Sequence, residues 1–150
     1  MSEPIYFYSK TTEYSELSNF APFGFEDEGV YWPTAEHYFQ AQKFPGAEHT
    51  EYREKICRAK TPRDAKTLGR TRRIAIRSDW DDVKDGIMLY ALRKKFACKE
   101  LRQLLLGTGD RPLVEDSPSD TYWGRGRSGD GKNRLGQLLM QVRAELRAAG

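Results

Sequence analysis

The chain has 150 residues with 25 Lys+Arg against 22 Asp+Glu, the size of one ordinary domain, residues 1–150, that buries roughly two thirds of its surface on folding. Apolar residues make up 38%, and the 13 Gly bring the share to about 47%, which excludes disorder as the main state. No apolar run nears the roughly 20 residues of a membrane helix, and Met1-Ser2-Glu3-Pro4 has no basic stretch leading into an apolar one, so a soluble, cytoplasmic protein without membrane contact is expected.

The first elements are short strands at Ile5-Tyr6-Phe7-Tyr8, Phe23-Gly24-Phe25 and Val30-Tyr31-Trp32, set apart by Gly, Pro and acidic residues. A helix capped by Thr34 follows Pro33 and stops at Pro45-Gly46, and a second runs from about Glu48 to Ala59. Thr61-Pro62-Arg63-Asp64 supplies a capping hydroxyl, a first-turn proline and an acid, and starts a third helix that ends near Gly69. Ser78 or Asp79 caps a longer helix with Trp80, Val83, Ile87, Tyr90 and Ala91 at three-and-four spacing. Leu101 to Leu106 forms another, closed by Gly107. Residues 107–131 hold six of the 13 Gly together with Pro112 and Pro118, which leaves room for one short strand at Leu113-Val114-Glu115 in a long functional loop. Leu135, Leu138, Leu139, Val142 and Leu146 complete a last amphipathic helix. The expected fold is α+β, mostly helical with a small, largely antiparallel sheet. Cys57 and Cys98 lack the spacing of a zinc site or a disulfide framework and read as two inert core thiols.

The formal net charge of +3 hides a polarised layout. Residues 1–52 carry 2 bases and 9 acids, 53–77 carry 10 and 2, 78–120 carry 7 and 9, and 121–150 carry 6 and 2. The two basic segments either meet over an anion such as phosphate or remain solvated helix faces.

Three groups of residues can carry chemistry. At 100° per residue, Glu36, Gln40 and Lys43 fall at about 0°, 40° and −20°, flanked by Phe39 at about −60° and Phe44 at about 80°. A polar slot between aromatics suits a cleft wall, and a solvated edge fits the spacing equally well. His37 lies off the stripe and reads as a buried, hydrogen-bonded histidine; with His49 the only other one, no metal site is expected. The second group spans Gly124, Gly126 and Gly129. It matches a GxGxxG pattern without the strand and helix that a dinucleotide fold needs. Its glycine-rich backbone leads into the Asn133 helix and can offer free N–H groups to an anion, with Arg125, Arg127, Lys132 and Arg134 adding charge; a plain surface hairpin is the alternative. The third is a pair of tryptophans beside acids, Trp80 with Asp79 and Trp123 with Asp120, an arrangement that suits a flat, amine-bearing heterocycle. Trp80 fits the core at least as well.

The segments Leu17-Ser18-Asn19-Phe20, Trp32 to Phe44, Leu68-Gly69-Arg70, Asp79-Trp80, Leu104 to Gly109, Asp120 to Gly124 and Gly131 to Met140 resemble the YbiA-like (NADAR) family in order, over about residues 5–147. The resemblance implies an N-glycosidase that needs neither metal nor organic cofactor. One branch acts on ribosylaminopyrimidine phosphates of riboflavin synthesis, another removes ADP-ribose from modified guanine. By the matching motifs Glu36, Asp120, Trp80 and Trp123 carry over as functional residues and Lys43 as the Schiff-base lysine, while Asn19, Phe20, Gly124 and Asn133 carry over as pocket positions. The implied partner is a small phosphorylated ribosyl-heterocycle or an ADP-ribosylated nucleic acid, with no obligate protein partner. A non-catalytic ADP-ribose-binding module is the rival from another class. General nucleic-acid binding by residues 53–77 fits poorly, because no aromatics interleave with those bases.

Overall fold

A computed structural model describes residues 3–150; Met1 and Ser2, where the leader was sought, lie outside the described residues. Among these, four three-residue strands and six α-helices follow in the order β1 (Ile5–Phe7), β2 (Phe25–Asp27), β3 (Val30–Trp32), α1 (Ala35–Ala41), α2 (Thr50–Cys57), α3 (Pro62–Gly69), α4 (Trp80–Lys95), α5 (Lys99–Gly107), β4 (Leu113–Glu115) and α6 (Arg134–Ala149). The sheet comes in two pieces. β2 and β3 form the antiparallel pair that local sequence favours, Phe25 opposite Trp32. β1 instead pairs in parallel with β4, Ile5 beside Leu113 and Phe7 beside Glu115, and no local pattern announces a partner so distant in the chain.

Helix starts follow the capping residues. The Thr34 hydroxyl accepts from the His37 amide at 3.1 Å, and Thr61 accepts from the Asp64 amide at 3.0 Å, with Pro62 at the first helical position. Asp79 stands at the cap of α4 but makes no side-chain cap bond, because Arg77 holds its carboxylate at 2.6 and 3.0 Å. The second helix arrives as a 3-10 turn at Ala47–His49 running into α2.

Two apolar clusters fill the interior. One joins β1, β4, α4, α5 and α6 through Phe7, Leu92, Phe96, Leu105, Leu113 and Leu139. The other joins the hairpin to α1, α2 and α3 through Phe25, Trp32, Tyr38, Phe44 and Ile56. α1 is wedged between them with all seven residues buried, so its Glu36-Gln40 stripe is no solvated edge. His37 is buried as expected, its Nε2 2.9 Å from the Ala59 carbonyl and its Nδ1 2.7 Å from the Thr34 hydroxyl. A carbonyl can only accept, so Nε2 carries the proton and Nδ1 accepts from Thr34. One thiol departs from expectation: Cys98 is exposed at the cap of α5, outside both apolar clusters, while Cys57 is partly buried and donates to the Tyr31 carbonyl.

Lys95 is the exception inside the core, 1% exposed, with Nζ donating to the Ser18 carbonyl at 2.8 Å. Burial takes its ammonium down from 10.5 to about 7, against a weaker upward pull from Glu16. Between those values the unfolded chain binds more protons than the folded one, so this residue's contribution to stability rises with pH across the window and is lowest below it. Lys95→Met removes that penalty. Thermal unfolding of the variant is expected to gain more over the parent at pH 6 than at pH 10; an equal gain, or a loss, at both would show that the ammonium is well accommodated.

Candidate active site

α1, α3 and the loop after β4 enclose a cavity of about 750 Å³, beside which lies a recess of about 190 Å³. Glu36, Lys66, Arg70, Asp120, Tyr122 and Trp123 line both. The cavity adds Asn19, Phe20, Glu115 and the bases Lys10 and Arg63. The recess adds Phe39, Gln40, Lys43, Trp80 and Lys84. The two expected carboxylates thus stand on the shared wall, and the expected lysine belongs to the recess.

Glu36 is buried in the first turn of α1. Its amide donates to the Asn19 carbonyl at 3.2 Å, which ties the Asn19-Phe20 turn to the helix start. Its Oε2 accepts from Gln40 Nε2 at 2.6 Å. Burial raises its carboxyl above the usual range, a shift that the Gln40 bond, Lys66 and Lys43 oppose and Asp120 reinforces. Lys43, just beyond α1, donates to the Gly69 carbonyl at 3.3 Å and stands 5.7 Å from the Trp80 ring centre. Burial lowers its ammonium; Glu36 pulls it up, and Arg70 and Lys66 push it further down.

α3 can approach α1 this closely because residue 69 is a glycine: a Cβ there would overlap Gln40 Oε1. The crossing brings Arg63, Lys66 and Arg70 to the cavity, three bases at the i, i+3, i+7 spacing of a single helix face. On the opposite side Asp120 Oδ1 accepts from the amides of Tyr122 and Trp123 at 2.9 and 2.7 Å, an Asx turn that fixes where Trp123 points. Trp123 meets Phe39 edge-on at 5.4 Å, and Phe39 in turn lies 4.9 Å from Trp80. The row Trp80-Phe39-Trp123 walls the recess. Trp80, at 8% exposure, therefore serves the core and the recess together.

Two expected pocket positions lie behind this wall. Asn133 turns its side chain to β4, accepting from the Glu115 amide at 2.9 Å and donating to the Leu113 carbonyl at 3.0 Å, with its own backbone left-handed at φ 52°. At Gly124 the missing side chain is filled space, since a Cβ would overlap Glu115 Oε2. Asn133→Ala strands two polar groups of β4 and is expected to cost about 3 kcal/mol. Urea unfolding measures it, and a loss within experimental scatter would return Asn133 to the list of ligand contacts.

The anion site expected at the start of α6 does not form. The amides of Lys132, Arg134, Leu135 and Asn133 donate at 2.9 to 3.0 Å to the carbonyls of Thr121, Tyr122, Trp123 and Gly124, so the glycine-rich segment folds back on its own helix. Arg125 is taken by Asp116 at 2.7 Å and Arg134 by Asp85 at 3.0 Å. Of the two basic segments, only 53–77 brings its bases to the cavity. Lys66, Arg70, Arg63, Lys10 and Glu115 were not singled out from the sequence; the spacing of the three α3 bases was legible, whereas Glu115 comes into place only through the parallel β1–β4 pairing. Among the described residues no three His, Cys, Asp or Glu side chains gather to hold a metal ion, and no helix is long and apolar enough to cross a membrane.

The chain is similar to known proteins over most of its length. The description NADAR domain matches residues 6–147. The chain is 48% identical over 143 residues to N-glycosidase YbiA of Escherichia coli strain K12, covering 95% of this chain and 88% of the relative. It is 46% identical to an N-glycosidase of Nostoc punctiforme, covering 95% and 92%. A riboflavin biosynthesis protein of Vibrio vulnificus shares 41% identity over 97% of this chain, which spans 39% of that longer protein. The solution NMR structure of E. coli YbiA superposes with a TM-score of 0.88 at 47% identity, covering 98% of this chain and 86% of that one.

Proposed function

The chain belongs to the NADAR family, and from that premise we propose that it is an N-glycosidase hydrolysing the ribose C1′–N bond of ribosylaminopyrimidine 5′-phosphates, early intermediates of riboflavin biosynthesis. One observation carries the reading: Glu36 and Asp120 share a wall between an aromatic-lined recess holding Lys43 and a cavity carrying Lys10, Arg63, Lys66 and Arg70. Breaking such a bond requires a proton for the leaving nitrogen, stabilisation of a cationic sugar, and a nucleophile for the anomeric carbon. The carboxyls supply acid, base and negative charge, the cavity bases hold the phosphate, and the tryptophans stack on the heterocycle. The names of the Vibrio relative and of a maize relative, 41% identical to this chain, both refer to riboflavin biosynthesis.

A second substrate is favoured by the size and charge of the cavity. About 750 Å³ and four cationic side chains exceed what a single phosphate needs and suit the diphosphate of ADP-ribose attached to guanine. Turnover of both compounds by the purified protein, followed by chromatography of the freed heterocycle, decides between them. Faster release from the aminopyrimidine supports the first assignment and faster release of guanine overturns it. Tight binding of ADP-ribosylated guanosine with no free base would make the protein a reader instead of an enzyme.

A further inference from the structure

Glu115 ends β4, opposite Phe7 of β1, and lines the same cavity as Glu36 and Asp120. Its surroundings are unusual for a surface-strand glutamate. Its Oε2 is buried without a hydrogen-bond partner and packs against the backbone at Gly124, where a Cβ would occupy the same space. The next residue, Asp116, holds Arg125 at 2.7 Å, but no cation among the described residues pairs with Glu115. The strand is in turn pinned from behind by Asn133, which bonds the Glu115 amide and the Leu113 carbonyl. The carboxyl is thus held in place by strand, glycine and asparagine while one of its oxygens goes unsolvated and unpaired, a state far cheaper for a neutral acid than for a carboxylate.

Resting on the N-glycosidase reading, we propose that Glu115 is a further catalytic group of this site, the acid that hands its proton to the departing heterocycle nitrogen while Glu36 and Asp120 serve as base and cation stabiliser. The C1′–N bond breaks with its electron pair going to nitrogen, and nitrogen takes the Glu115 proton. The anomeric carbon ends bonded to a water oxygen, either by direct attack or by hydrolysis of a Lys43 imine formed on the way, and that water's proton returns to a site carboxylate, so the sum is substrate plus water giving free heterocycle and free sugar. The surrounding charges agree. Burial first, then Asp120 and Glu36, raise the Glu115 carboxyl to about 7, against the pull of Lys66 and the Ser117 amide. A group with that midpoint still holds a proton to give near neutral pH. The gap left by Gly124 is then the space the acid occupies, which accounts for a glycine that lines neither the cavity nor the recess.

The test compares Glu115→Gln with Glu115→Asp on the freed heterocycle. Gln keeps the shape and loses the proton; release is expected to fall about 10²-fold or more, and the fall in rate above neutral pH should vanish. Asp keeps an acid one methylene further back and should recover part of the rate together with the alkaline limb. A packing role reverses that order, so Gln performing as well as Asp, or either matching the parent in rate and pH profile, overturns the proposal. Removing a carboxyl whose midpoint is raised stabilises the fold above that midpoint, so Glu115→Gln is expected to unfold no more easily than the parent at pH 8. If both variants fail to fold, carbon-13 NMR of the Glu36→Gln protein labelled in its glutamate carboxyls decides: with the other raised glutamate gone, the proposal falls if every remaining one titrates near 4.5, the ordinary value. A parent that releases heterocycle from neither substrate removes the functional reading instead, and the same titration still reports on Glu115.

Discussion

Glu36→Gln is expected to keep its fold and release heterocycle about 10³-fold more slowly than the parent. The structural half follows from its neighbours. Oε2 accepts from Gln40 Nε2 at 2.6 Å, and a glutamine oxygen can accept that bond too. Gln40 Oε1 is meanwhile buried with no donor, so rotating the Gln40 amide offers an acceptor to the new side-chain NH₂. Burial already disfavours the charged carboxylate; below the ordinary glutamate value the raised midpoint has no cost, and the cost grows as pH rises through it. The variant is therefore expected to unfold at a temperature no lower than the parent at pH 8. The functional half follows from position, since an amide on the wall between cavity and recess can neither accept a proton nor steady a cationic sugar. A well-folded Glu36→Gln protein with unchanged release would remove Glu36 from the chemistry and leave Asp120 and Glu115 as the working pair.

Local rules exposed much of this site. The caps at Thr34 and Thr61, the narrow Glu36-Gln40 stripe and the aromatics beside it all lie within one helical stretch or one turn, where spacing fixes geometry. The same rules did not distinguish a slot from a solvated edge. That outcome depends on α1 being covered by both apolar clusters, which is decided by packing of distant elements. The parallel β1–β4 pair and with it the placement of Glu115 depend on contacts over a hundred residues apart in sequence. The glycine-rich segment misled for a related reason. Glycines permit an exposed anion nest, and they also permit a chain to fold back on its own helix; the carbonyls of residues 121–124 take the second course. Charge layout proved informative only segment by segment, as α3 delivers Arg63, Lys66 and Arg70 to the cavity while Arg125 and Arg134 are spent on Asp116 and Asp85.

Under the proposed function Lys43 is the residue on which the two routes for the sugar differ, and replacing it has the other large expected effect. An N-ribosyl amine can open to an imine that a neutral lysine captures by exchange, whereas the other route keeps Lys43 charged and has a carboxylate activate water against a cationic sugar. An ionised Glu36 would hold Lys43 as ammonium and close the first route. The burial shifts act against that: Glu36 is raised and Lys43 lowered, each by burial first, with Arg70 and Lys66 adding to the lowering. Moving the proton from lysine to carboxyl leaves two neutral groups where two desolvated charges stood, an amine free to attack and a Glu36 that has taken its proton as base. Release should accordingly rise with pH as Lys43 gives up its proton and fall as the acid groups give up theirs. Lys43→Met and Lys43→Arg are both expected to lose about 10³-fold in release, because a guanidinium keeps its charge throughout this range and forms no imine. Borohydride added during turnover should fix the sugar to Lys43 in the parent and to nothing in either variant, as read by peptide mass spectrometry. An arginine variant that keeps most of the activity, or a parent that turns over without a trapped adduct, would assign Lys43 to charge alone and the attack to water.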